Sequence, residues 1–305
     1  MNYQVVAYIT AYKDVQAVKK CLELLKNQSY PIGEIFVVDN SPQQIIFSED
    51  GLLVKHCPAN IGVAGGLKQA VIWAKEKGAD FLWAFDQDSE PDENLLEKLL
   101  LKYSLLSTKD FPIGIVAPLA IDVQSQSKIH GLIFGGYKFD LPSELESLTD
   151  YYECDALITS GSLISLDAAR SVELPREDLF LDAVDYLYCI NFKRKGYKVV
   201  VSKDTILKHH LGTYRHIKSP KTKKEVFTYT CSPLRYYYSC RNHTFLETRL
   251  STKLMLSKSV IHRLNILRHH LTHIYSYEPD FTLLKAWACM SGTIEGFMGK
   301  LGKTW

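Results

Sequence analysis

Short apolar runs alternate with amphipathic stretches through the first third of this chain, and the alternation predicts the fold class. Val5-Val6-Ala7-Tyr8-Ile9 reads as a buried strand. Residues 15–26 follow, with Val15, Val18, Leu22 and Leu25 at helical spacing on one face. Strand patterns return at 34–38, 52–54, 81–85 and 113–117, with helical stretches at 63–77 and 92–106 between them. Strands separated by helices of this length imply right-handed crossovers and a mostly parallel α/β sheet flanked by helices. Residues 129–165 break the rhythm. Gly131, Gly135, Gly136 and Gly161 punctuate short β-like runs there, which predicts antiparallel additions to the sheet. A helix is expected over 180–196, closed by Gly196, before a strand at 197–201. From residue 233 onward the pattern is helical.

Ligands of such sheets bind beyond the carboxyl ends of the strands, where Thr10, Asp39 and Asp86 all fall. The run Phe81–Phe85 stops at Asp86-Gln87-Asp88. Side chains two apart on an extended backbone point the same way. Converging carboxylates need a cation between them, or one must hold a proton. Oxygen ligands suit Mg²⁺ or Mn²⁺, which commonly share their shell with substrate phosphates. Two acids at a strand end also make an ordinary solvated turn, so the tripeptide gains weight only from its surroundings. Asn60-Ile61-Gly62-Val63-Ala64-Gly65-Gly66 precedes a helical stretch. Its glycines allow close backbone approach, and amides at a helix start face phosphate well. The dinucleotide pattern Gly-x-Gly-x-x-Gly is absent, which discounts NAD.

Composition narrows the class. Hydrophobic content of 46% and charged content of 23% are those of an ordinary globular protein. The seven cysteines form no Cys-x-x-Cys pair, so zinc and dithiol chemistry are not expected. Met1-Asn2-Tyr3 leads directly into the first strand and no apolar run reaches spanning length, so a cytoplasmic chain is expected. The net charge of +2 hides an asymmetry: residues 193–270 carry 18 Lys or Arg against three acids, and the rest carries 18 against 31. That excess suits an anionic partner: phospholipid, a pyrophosphate-linked substrate or nucleic acid.

The segments Tyr8–Tyr12, Val37-Val38-Asp39-Asn40-Ser41, the glycine loop, Asp86-Gln87-Asp88, Phe180-Leu181-Asp182-Ala183-Val184-Asp185 and His209-His210-Leu211-Gly212 follow in a telling order. Over residues 3–215 the chain resembles family 2 glycosyltransferases of the GT-A (Rossmann-like) fold, nearest the bacterial rhamnosyltransferase and galactofuranosyltransferase branch. The resemblance implies an inverting, metal-dependent transfer of a sugar to a hydroxyl of a growing surface glycan, the glycan carried on a lipid such as undecaprenyl pyrophosphate. L-rhamnose from dTDP-rhamnose is the first donor it suggests; a UDP-hexose or UDP-galactofuranose is the alternative. It implies donor contacts at Thr10, Tyr12, Asp39, Asn60, Gly62, Gly65 and Asp86; Lys68, at a position where relatives differ, is expected to reach a donor phosphate. It places Mn²⁺ or Mg²⁺ at Asp86, Asp88 and a histidine, His209 or His210, with His210 preferred. Asp88 is the more direct ligand, Asp86 reaching ribose or the metal through water. Asp185 matches the catalytic base, which must take the proton of the attacking hydroxyl. Asp182, one helical turn earlier, is expected on the same face as an acceptor contact. Lys68, Ala70 and Leu187 depart from residues common among relatives, so donor and acceptor preference are where this chain differs.

A catalytic domain over 1–225 and a helical extension over 226–305 are therefore expected. In the extension Val260, Leu264, Leu267, Leu271 and Ile274 form a stripe with Lys258, Arg263 and Arg268 off it. The stripe suits an anionic membrane at the inner face of the cell or packing against the protein's own helices. Tyr236-Tyr237-Tyr238 and Arg241-Asn242 put aromatics beside a cation, suited to sugar stacking or lipid headgroups. Three other readings compete. A sugar-phosphate nucleotidyltransferase would open with a basic glycine-rich loop, where this chain has Thr10-Ala11-Tyr12-Lys13-Asp14. A nucleic-acid-binding protein would carry a recognisable motif, and none is present. An inactive sugar-nucleotide-binding subunit would not need Asp86, Asp88 and Asp185 together.

Overall fold

The computed structural model describes residues 2–210, 212–218 and 225–305; Leu211 and the basic Lys221, Lys223 and Lys224 lie outside the described residues. The strands are β1 (Val5–Ala11), β2 (Ile35–Asp39), β3 (Leu52–His56), β4 (Phe81–Asp86), β5 (Ser89–Pro91), β6 (Ile113–Asp122), β7 (Lys128–Ile129), β8 (Ile133–Phe134), β9 (Phe139–Asp140), β10 (Tyr151–Glu153), β11 (Ser162–Ser165), β12 (Lys198–His209), β13 (Thr213–Lys218) and β14 (Glu225–Thr230). The helices are α1 (Val15–Lys26), α2 (Gly62–Glu76), α3 (Leu95–Leu106), α4 (Leu166–Ala169), α5 (Val184–Arg194), α6 (Pro233–Leu250), α7 (Leu256–Tyr277) and α8 (Thr282–Met298). They form two compact units. The first comprises Met1–Ile133, Leu141–Glu177 and Val184–His210; the second comprises Phe134–Asp140, Asp178–Ala183 and Leu211–Trp305.

The first unit is built on one sheet in the order β10-β12-β6-β11-β4-β1-β2-β3, with β5 paired to β12 and β7 to β6. Strands β3, β2, β1 and β4 are mutually parallel, as the alternation predicts. The glycine-punctuated stretch supplies antiparallel strands: β11 between β4 and β6, and β10 and β7 on β12 and β6. Ile9, Val37, Trp83, Phe85, Leu96, Leu99, Val116 and Leu163 share one buried core. Helix α1 starts where the Asp14 carboxylate accepts the Ala17 N–H at 3.0 Å, and it buries Val18, Cys21, Leu22 and Leu25.

One expected element is shorter than predicted. Helix α5 begins at Val184, because Phe180, Asp182 and Ala183 hold φ of +63°, +64° and +56°. Left-handed backbone cannot propagate a right-handed helix, so Asp182 and Asp185 do not share a helical face. Apolar periodicity is blind to that sign change.

The second unit holds the β13–β14 hairpin, which the sequence reading did not foresee, and helices α6–α8. Ala288, Gly292 and Gly296 let α8 lie against α6. A Cβ at Gly292 would stand 2.3 Å from the Tyr237 carbonyl oxygen, and one at Gly296 2.4 Å from that of Arg241. The expected α7 stripe turns partly inward. Ile274 is buried, and Leu267 and Leu271 pack on a cluster of Tyr236, Tyr237, Tyr238, Ala288 and Cys289.

Candidate functional site

The carboxyl ends of β1, β2 and β4 are held together by side chains. The Gln87 amide accepts the Tyr12 N–H at 2.7 Å and donates to the Tyr12 carbonyl at 3.2 Å. The middle residue of Asp86-Gln87-Asp88 thus fixes the end of β1 and leaves the flanking acids for other work. Thr10 lies beside Asp86 in the β1–β4 register and is half-buried. Asp39, expected at the nucleoside, orders the turn after its own strand. It is fully buried, and its carboxylate accepts the Ser41 N–H at 2.9 Å and the Ile45 N–H at 2.7 Å. Asn40, also buried, accepts the Ile61 N–H at 2.9 Å and so ties this turn to the glycine loop.

The glycine loop is also engaged internally. Asn60 adopts φ +51°, a region Asn tolerates, and its Oδ1 accepts the Gly62 N–H at 2.9 Å. The Gly65 N–H donates to the Ile61 carbonyl at 3.2 Å, and a Cβ at Gly65 would stand 2.8 Å from Ile61 Cβ. Both amides hydrogen-bond within the loop, and Gly65 makes room for the Ile61 side chain. Lys68 pairs with Glu177 at 2.8 Å on a half-exposed surface.

Asp86, Asp88 and His209 each offer one ligand atom, all within 4.8 Å of one another. Asp86 accepts the Ser160 hydroxyl at 2.8 Å, and Ser160 Oγ accepts the Asp86 N–H at 2.9 Å. Asp88 Oδ1 is buried and makes no hydrogen bond among the described residues; His209 Nδ1 stands 3.5 Å away and also contacts Ser89 Oγ at 3.2 Å. Burial pushes the Asp88 carboxyl above its ordinary range; His209 pulls it down and Asp86 adds to the rise. Two carboxylates and an imidazole, one oxygen orphaned, form a donor set that fits a divalent cation.

Of the two histidines, His209 and not the preferred His210 lies in this cluster. His210 Nε2 lies 3.0 Å from Glu90 Oε1, and Glu90 also pairs with Lys20 at 2.6 Å. Strand alternation is the reason. Leu207 and His209 are buried on β12 while Lys208 is exposed, and His210 lies past the strand end. The Lys20 hydrogen bond, with burial opposing and His210 assisting, holds Glu90 below the usual carboxylate range. Asp185 sits in the first turn of α5, its Oδ2 accepting the Thr159 N–H at 3.2 Å and its Oδ1 the Tyr186 N–H at 2.9 Å. Those bonds fix the carboxylate's orientation at a helix start, where negative charge is favoured.

A family model described as Glycosyl transferase family 2 matches residues 7–111, the stretch that carries β1 to α3 and the Asp86-Gln87-Asp88 turn. That match, over about a third of the chain, supports a family 2 glycosyltransferase. The chain is 26% identical over 201 residues to the dTDP-rhamnosyl transferase RfbF of Shigella flexneri, covering 65% of this chain and 64% of that protein. The chain thus spans a little under two thirds of that relative. A crystal structure of GalNAc-T7 with UDP, GalNAc and Mn²⁺ superposes with a TM-score of 0.53 at 11% identity, over 68% of this chain and 44% of that one. That likeness establishes the GT-A fold.

In the second unit, the left-handed loop around Asp182 is clamped from α6. Asn242 Nδ2 donates to the carbonyls of Leu179 at 2.8 Å, Asp182 at 2.9 Å, and Leu181. Arg241 is fully buried; its guanidinium donates to the Leu179 carbonyl at 3.1 Å and the Gly302 carbonyl at 2.6 Å, over the Tyr238 ring at 4.6 Å. The Arg-Asn pair noted in the sequence therefore stabilises backbone rather than facing solvent. The Asp182 carboxylate lies 4.0 Å from Arg235 Nε. Both line a cavity of about 310 Å³ with Tyr229, Tyr236, Ser239 and His269. Sequence reasoning missed Ser160 and Ser89, since a lone serine carries no spacing signal. It quoted Gln87 and Asn40 only as motif letters.

Proposed function

We propose that this chain is a family 2 glycosyltransferase that transfers a sugar from a nucleoside diphosphate to a hydroxyl of a lipid-linked surface glycan, with inversion, at the cytoplasmic face of the membrane. The observation that carries the reading is the Asp86–Asp88–His209 cluster at the carboxyl end of the parallel strands. Mn²⁺ or Mg²⁺ held there would act as a Lewis acid on the leaving diphosphate. Thr10, Tyr12 and Asp86 surround the strand ends where the donor nucleotide would lie. Asp185, oriented by Thr159 and Tyr186, takes the proton of the acceptor hydroxyl. The acceptor oxygen bonds to the anomeric carbon as the bond from that carbon to the β-phosphate oxygen breaks, and the nucleoside diphosphate departs. Asp182 contacts the acceptor from its clamped loop. The RfbF likeness supports dTDP-rhamnose as donor; UDP-hexose and UDP-galactofuranose are the alternatives.

The test is donor hydrolysis across a panel of nucleotide sugars, with and without Mn²⁺ or Mg²⁺, on the natural chain and Asp88→Ala. Turnover of one donor that needs metal and vanishes in the variant is expected. Calorimetry showing no metal-dependent nucleotide binding would sink the proposal.

A further inference from the structure

Helix α8 is packed inside out. Its inward face is made of small residues, Ala288, Gly292 and Gly296, with Cys289, Thr293 and the paired Lys285. Its bulky apolar residues point outward: Leu283 is 87% exposed, Trp287 58%, Ile294 57% and Met298 63%, with Leu284 and Met290 also exposed. At one hundred degrees per residue these six fall on one face. That face carries no charge; of the helix's ionisable side chains, Lys285 is buried against Glu278, and Glu295 pairs with Lys300 at 3.1 Å. A helix in water alone would bury the large side chains and expose small polar ones. This arrangement is stable against a second apolar phase. Among the described residues no helix is long and apolar enough to cross a membrane, and α8 at about 26 Å would lie along a surface.

We infer that the outward face of α8 docks on an anionic lipid surface. Charge complementarity selects this occupant. Lys300 and Lys303 follow the helix, and Arg249 lies beside its end, with Nη2 3.2 Å from a Cβ placed at Gly299. All three are exposed. Residues 249–305 contain eight Lys or Arg against three acids; Lys285 is buried against Glu278 and Arg263 against Glu247, Lys300 pairs with Glu295, and the remaining basic residues outnumber the acids. An apolar helix face with cations at its end enters the headgroup region of anionic bilayers. The docking face is thus α8, not the α7 stripe, whose Leu267, Leu271 and Ile274 are spent on packing.

The experiment is sedimentation of the full chain with vesicles of phosphatidylcholine alone or mixed with phosphatidylglycerol. It uses the natural protein, Trp287→Ser/Ile294→Ser, and Lys300→Glu/Lys303→Glu. The natural chain pellets with the mixed vesicles and much less with neutral ones. The apolar variant loses at least about tenfold in partition, from the transfer of two large side chains. The charge variant loses binding to mixed vesicles only. Unchanged melting of both variants guards against misfolding. Equal binding by all three proteins, or no binding by the natural one, overturns the inference. So does a concentration-dependent rise in mass by light scattering that the apolar variant abolishes, since that would give the face to a second copy. No donor, metal or acceptor enters, so failure here leaves the transfer proposal standing.

Discussion

Gly66 and Tyr8 allow the packing behind the glycine loop to be tested quantitatively. Gly66 lies in α2 on ordinary helical backbone, so alanine there would normally gain about 0.5–1 kcal/mol in helix propensity. In this protein the new Cβ would stand 2.3 Å from Tyr8 Oη, with Tyr8 Cζ next at 3.4 Å and Thr10 Oγ1 at 3.7 Å. Tyr8 is fully buried and cannot swing into solvent, so the clash must move β1 or α2. Overpacking of this kind costs about 1–3 kcal/mol. Gly66→Ala is therefore destabilising despite its propensity. Tyr8→Phe removes the clashing atom and leaves the nearest contact at ordinary van der Waals distance. In the Tyr8→Phe background Gly66→Ala becomes neutral or stabilising, a coupling of about 2 kcal/mol. Urea denaturation followed by circular dichroism on the four proteins of the cycle measures it. Additive midpoints would refute the reasoning, because they would mean that Gly66 faces open space where a ligand, not Tyr8, sets its size.

Three further outcomes are expected. His209→Ala weakens Mn²⁺ binding by at least about tenfold in calorimetry while His210→Ala changes it little, since losing a ligand outweighs losing a surface pair; the reverse order would restore His210 as the ligand. Arg241→Ala lowers stability by at least about 3 kcal/mol in denaturant melts, because buried carbonyls lose a charged donor and a large cavity opens; a loss under about 1 kcal/mol would deny the clamp. Acid weakens the second unit in two steps. Burial, with Arg263 nearby, pushes His243 and His270 down to about 4, so they are neutral in the fold and their contribution is present above 6.5 and lost as pH falls toward 4. Burial opposes ionisation of Glu278, but bonds from His273, Lys285 and Tyr236 hold it down to about 2, so its contribution is lost between 4.5 and 2. Thermal melts at stepped pH should therefore fall already below 6.5, and His270→Asn should flatten that first step.

The parallel half of the sheet was legible because apolar runs, helical spacing and turn residues all agreed there. Strands β1, β2, β3 and β4 lie where the runs place them, to within a few residues. Asp86 and Asp88 were legible as a convergent pair because they fall at a strand end. Register beyond that point was not. A choice between His209 and His210 needs the burial phase of β12, which Leu207 and Lys208 reveal only when read as alternation. The Asp182 loop was misread as helix because its left-handed residues are Phe, Asp and Ala, none a glycine that would flag positive φ. The hairpin β13–β14 alternates aromatic, basic and threonine residues without a tight-turn dipeptide, so it carried little strand signal. The α7 stripe was real in period, but period does not say which phase lies on the other side.

Satisfied and unsatisfied groups at the sheet end separate structure from function. Asp39 and Asn60 are expected as donor contacts from the sequence, and both, like Asn40 and Gln87, accept hydrogen bonds from backbone groups of the strand-end loops. Their chemistry is needed because turns at the ends of parallel strands leave amides without sheet partners. Asp88 is different. Its buried Oδ1 has no hydrogen-bond donor among the described residues, and a second carboxylate is close by. Leaving a buried carboxylate oxygen unpaired costs more than about 1 kcal/mol, and native folds keep few such groups. The protein had donors to hand in Ser89 and Ser160, and they are committed to His209 and Asp86. The divalent cation proposed for this cluster would give Asp88 Oδ1 the charged partner that the serines do not supply.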